Sequence, residues 1–107
     1  MSFEDMRDLD VVMFDVTQED IDNGDRLDTC SCPIALAINR SFGIPIGSSY
    51  VLGTKFYIQI DDPDAPENYV QFEHSYASGE FINAFDKGGD VQPLTLTLRR
   101  RTYVESD

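Results

Sequence analysis

Between Val11 and Val16 apolar and polar residues alternate. Val12, Phe14 and Val16 share one face, and Val11, Met13 and Asp15 share the other. A period of two predicts a strand with one side buried. Thr17 then suits a helix N-cap, with Glu19 and Asp20 near the positive end of the first turn, and Gly24 ends this short helix. Pro33 opens a second helix, where its missing N–H has no intrahelical partner to lose, and Cys32 stands at the cap. Ile34, Ala35, Leu36, Ala37, Ile38 and Phe42 make that helix apolar over much of its surface. It is therefore expected to be buried, and Gly43 stops it.

Alternation returns over Tyr50–Ile60, which reads as one strand. Phe56, Ile58 and Ile60 lie on one face, Lys55, Tyr57 and Gln59 on the other, and Gly53 marks a bulge or bend. Two prolines between Asp61 and Glu67 interrupt the ladder, and Tyr69–His74 returns as the second arm of a hairpin. Ser78 reads as the cap of a third helix with an apolar stripe of Phe81, Ile82 and Phe85, closed by Gly88-Gly89. Val91–Leu98 is the last strand, with Leu94, Leu96 and Leu98 inward and Thr95 and Thr97 outward. This order predicts an α+β domain built on a mostly antiparallel four-stranded sheet, with helices on one face. Residues 1–107 read as a single domain whose first nine residues are polar and frayed.

Charge changes the picture more than composition does. The 41% of hydrophobic residues in 107 suffices for one core without metal or disulfide. Twenty carboxylates against eight Lys and Arg leave a formal charge of −12. Such a field repels nucleic acid and anionic membranes and attracts a basic partner; simple solubility is the plainer explanation. The acids are clustered. Ten fall within residues 1–28 against Arg7 and Arg26, and Asp61, Asp62, Asp64, Glu67 and Glu73 follow one another with no intervening base. Glu19, Asp20, Asp22, Asp25 and Asp28, with Asp61, Asp62 and Asp64 as a second patch, are the candidate partner-binding residues. An acid every two or three residues approximates a row of phosphates, which in duplex DNA carries one charge per ~1.7 Å of axis.

Other chemistries find less support. Asp20-Ile21-Asp22-Asn23-Gly24-Asp25 fails the EF-hand register, because Gly24 falls where a ligand belongs and Ser31 stands where the closing Glu should be. Cys30 and Cys32 with His74 give three metal ligands where structural zinc takes four. A bridge between the two cysteines would close a small strained ring, so a reducing, cytoplasmic setting is expected. The acidic start Met1–Asp5 lacks the basic and apolar regions of a signal peptide, and no apolar run reaches the ~18 residues of a membrane span. Glu73 and His74, as strand neighbours, point to opposite faces and form no catalytic pair. The run Arg99-Arg100-Arg101 is expected to cover a sheet edge or to pair with the acids. No catalytic residue and no cofactor is indicated.

Two segments carry a resemblance. Val16–Gly24 (VTQEDIDNG) followed by Cys32–Ile38 (CPIALAI), and Phe81–Gly88 (FINAFDKG) followed by Val91 and Pro93, resemble a family of small uncharacterised proteins encoded mainly by bacteriophages and their hosts. The resemblance covers under half of the chain and leaves out residues 44–75. It implies a viral or mobile-element setting, and brings no activity or cofactor with it. The expectation is a non-enzymatic protein whose acidic surface docks on a basic host protein, such as a nucleic-acid-binding enzyme. The alternative is an assembly protein that pairs through a sheet edge exposing Thr95 and Thr97.

Overall fold

A computed structural model describes residues 6, 8–26, 28–45, 47–51, 57–65 and 67–101. Its elements in chain order are β1 (Val11–Val16), α1 (Gln18–Asn23), α2 (Pro33–Phe42), β2 (Ser49–Val51), β3 (Tyr57–Asp61), β4 (Tyr69–Glu73), α3 (Tyr76–Asp86) and β5 (Leu94–Arg100). The α+β class is as expected, but the sheet has five strands, in the order β1-β5-β4-β3-β2, with every pairing antiparallel.

The extra strand comes from the segment read as one strand over Tyr50–Ile60. It is two strands that pair with each other, Tyr50 opposite Gln59 and Val51 opposite Ile58. Alternation has the same period on both arms of a hairpin, and the reversal shows only as a change of phase, from buried Ser49 and Val51 to buried Ile58 and Ile60. Gly53, Lys55 and Phe56 lie outside the described residues.

Three further boundaries differ. The cap of α3 is Ser75, whose hydroxyl accepts the Ser78 N–H at 3.1 Å; Ser78 is buried in the first turn. Tyr76 in that turn is 83% exposed, so the apolar stripe gives no hint that the helix begins so early. The last strand begins at Leu94 and continues through Arg99 and Arg100, which pair by main chain with β1 and β4. Met6 is fully buried and Leu9 packs on the core, so the chain is anchored before residue 10. These two apolar residues stand three apart among acids, too sparse for a periodic signal.

The core is one cluster. Val12, Phe14 and Val16 of β1, Ile58 and Ile60 of β3, Val70 and Phe72 of β4, and Leu96 and Leu98 of β5 meet Ile34, Ala35, Ala37, Ile38 and Phe42 of α2 and Phe81, Ile82 and Phe85 of α3. Helix α2 packs on both β1 and β2, the two outer strands of the sheet. The sheet therefore curls around a helix that is apolar on most sides. The ladder between β4 and β5 is short, with Phe72 opposite Arg100 and Glu73 opposite Arg99, and it joins the β1–β5 pair to the β2–β3–β4 meander.

Candidate functional site

Asp20 does not belong to a docking surface. Its carboxylate accepts the Thr17 N–H at 2.9 Å and the Thr17 hydroxyl at 3.0 Å, and Thr17 in return accepts the Asp20 N–H, which completes a capping box on α1. Arg40 of α2 donates to the same carboxylate at 2.8 Å. The residue is 6% exposed. Burial is the largest influence on its pKa and acts upward, but the hydrogen bonds from Arg40 and Thr17 outweigh it and hold the carboxyl below its ordinary 3.8. The sequence signal was present, since a Thr with an acid three residues on is a capping-box spacing.

The other seven predicted residues remain at the surface. Glu19 and Asp22 are exposed on α1, where Asp22 accepts from Gln18 at 2.9 Å. Gly24 ends that helix against Pro33; a Cβ there would stand 2.5 Å from the proline Cδ, so only glycine allows the loop to leave at this point. The loop then carries Asp25 and Asp28 outward. Its base is closed by the Asp25 N–H donating to the Ser31 carbonyl at 2.8 Å. Asp28 accepts the N–H groups of Cys30 and Ser31 at 3.0 and 3.1 Å, an Asx-type turn.

This loop bonds to one sheet edge. The Asp61 N–H donates to the Ser48 carbonyl, so Tyr50 exchanges bonds with β3 while Ser49 and Val51 turn their N–H groups outward. The Thr29 carbonyl accepts the Val51 N–H at 2.8 Å.

Asp61, Asp62 and Asp64 lie at the end of β3, beside the same strand. Asp62 accepts the Asp64 N–H at 2.9 Å and its own N–H donates to Asn68, which holds the turn. Tyr50, half-buried on β2, stands between the two acidic segments. Its pKa is raised first by the charge of Asp61, then by burial, and then by the Cys30 thiol. The loop and the turn therefore meet at β2, although a helix and a strand separate them in the chain. Sequence reading missed Tyr50, because nothing in the chain shows which residue they meet on.

Among the described residues, none of the seven carboxylates pairs with a Lys or Arg. Arg40 is committed to Asp20, and the Arg26 guanidinium lies beside Gly88 at the end of α3. The arginine run does not cover an edge, because β5 is an interior strand. Arg101 lies over the Tyr57 ring at 4.5 Å and reaches Gln71 at 3.3 Å, in a row continued by Gln71 to Gln59 and by Gln59 to Asp61, each at 3.0 Å. For the same reason Thr95 and Thr97 are not edge residues, and Thr95 donates instead to the Asp15 carboxylate.

The remaining chemical groups are occupied by the fold. Burial pushes the Cys32 thiol up to about 11, away from the thiolate that a nucleophile requires. His74 shares a 2.9 Å hydrogen bond with Ser78 at the start of α3. Among the described residues no three His, Cys, Asp or Glu side chains gather where a metal ion would fit, and no helix is long and apolar enough to cross a membrane.

Comparison of the chain with protein-family models, with curated proteins and with solved structures found no match in any of the three. The functional reading rests on the geometry.

Proposed function

We propose that the protein is a non-enzymatic binding module whose carboxylate flank docks on the basic surface of a nucleic-acid-binding protein. One observation carries the reading: the loop that bears Asp25 and Asp28 and the turn that starts at Asp61 both reach β2 at Tyr50 and Val51, and none of their carboxylates pairs with a Lys or Arg among the described residues. Unpaired carboxylates held by main-chain turns form a fixed field, which steers and orients a basic partner at little entropic cost. Tyr50 adds an aromatic group with a polar tip at the centre of the flank, the kind of residue that anchors protein interfaces. A phage-encoded inhibitor that occupies a groove meant for phosphates is the setting that the resemblance suggests.

The test is capture from a bacterial lysate on the immobilised protein, beside a variant carrying D22N, D25N, D28N, D61N, D62N and D64N. Asparagine keeps the turn acceptors while removing charge. The wild type is expected to retain basic, nucleic-acid-binding proteins at about 0.05 M salt and to release them by about 0.5 M salt or on addition of duplex DNA. Equal capture by the variant, or capture of no basic protein, contradicts the reading.

A further inference from the structure

The other outer strand, β1, lacks the loop that bonds to the main chain of β2 at Val51. The Arg100 N–H donates to the Asp10 carbonyl at 2.7 Å, which sets the ladder: even-numbered residues of β1 bond to β5, and Val11, Met13 and Asp15 turn their main-chain groups away from the sheet. Of these, the Asp15 carbonyl is taken by Arg40 at 2.8 Å. The N–H and C=O of Val11 and Met13 and the N–H of Asp15 have no partner among the described residues. Val11 and Met13 are 43% and 67% exposed, on the side of the sheet away from the core. They form an apolar step on a strand whose ends are flanked by the exposed acids Asp8 and Asp10 on one side and Asp15 and Glu19 on the other.

We propose that the outer edge of β1 receives an extended segment of a partner protein as a sixth strand, with apolar side chains beside Val11 and Met13 and a Lys or Arg at each end. Charge complementarity selects this occupant. In a two-fold antiparallel pairing of two copies Met13 faces Met13, Asp15 faces Val11 and Asp10 faces Val16, so neither acid meets a base, whereas a segment with basic ends meets an acid at each. Main-chain bonds supply the affinity and alternate side chains the specificity, as in other strand additions. The contact goes beyond the carboxylate flank and does not depend on it, because it is made on the opposite outer strand.

The experiment uses a labelled synthetic peptide with two valines at alternate positions, threonines between and beside them and lysines at both ends, and the same peptide N-methylated along the edge that would bond. Amide exchange by NMR is expected to slow at Val11 and Met13 when the unmodified peptide is added, and not with the methylated one. Met13→Pro removes an N–H that the β1–β5 ladder does not use, and Met13→Lys opposes the basic peptide without touching the backbone. Each is expected to weaken binding about tenfold, the worth of one good hydrogen bond or charge contact. Unchanged binding to Met13→Lys together with Met13→Pro overturns the inference. So does slowed exchange confined to residues 25–28 and 61–64, an outcome that leaves the carboxylate flank intact. Protection of Val11 and Met13 before any peptide is added also overturns it; sedimentation then tells whether a second copy or the chain's own first residues hold the edge.

Discussion

The two outer strands of the sheet are tied down by neighbouring residues of one helix, and in opposite ways. On the β2 side, Asn39 accepts the Ser49 hydroxyl at 2.6 Å in a neutral, buried contact, and the 25–31 loop closes the strand from outside. On the β1 side, Arg40 reaches out from the next position to one main-chain carbonyl and one carboxylate, through a guanidinium that is half exposed. Open strand edges invite pairing, and proteins usually blunt them with a loop, a bulge or a charge. Here the short edge is held by one main-chain bond from a loop and the longer one by a single arginine. The difference separates an edge that serves as scaffold for an acidic surface from one that still has hydrogen bonds to offer.

The sharpest way to break the comparison is to remove the helix's hold on both strands. Ile38→Ala, at a fully buried position of α2, is expected to cost about 3 kcal/mol in urea denaturation, from lost transfer energy plus the cavity left behind. Next comes Asn39→Ala, which leaves the buried Ser49 hydroxyl without an acceptor and should cost about 1–2 kcal/mol, independent of salt. Arg40→Ala should cost less, about 0.5–1 kcal/mol. The guanidinium is half in solvent, and the effect should shrink as salt rises.

Asp20 gives the β1-side tie a pH signature that the β2-side tie lacks. Its folded-state pKa lies below the ordinary 3.8, so the ionised carboxylate stabilises the fold above that value, and the contribution disappears as pH falls through and below it. Asp20→Asn is expected to flatten the dependence of stability on pH in that acid window, while Asn39→Ala leaves its slope unchanged. The smallest effect belongs to Met13→Thr, which exchanges one exposed strand residue for another and should shift stability by less than about 0.5 kcal/mol.

Much of this architecture was legible in the chain because the signals were local. Thr17, Pro33 and Gly43 set helix ends by their own backbone chemistry, and the alternation in β1 named its buried face correctly. What was hidden was pairing. Val51 and Ile58 are both buried although seven residues apart, a change of phase that the reading of one strand passed over, and Arg99 and Arg100 look like the end of a strand because side-chain charge hides main-chain bonds that any residue can make. The candidate site divides in the same way. The acids could be counted in the sequence, but Asp20 had to be located in three dimensions before it could be removed from the set. The convergence of the remaining segments on Tyr50 depends on the Thr29–Val51 contact, which no spacing encodes.

Hydrogen exchange of the free protein at single-residue resolution tests the difference between the edges most directly. The Val51 and Val12 amides should be protected together, while Val11 and Met13 exchange near the rate of an unstructured chain. Equal protection of all four, or loss of protection at Val51 alone, would contradict it.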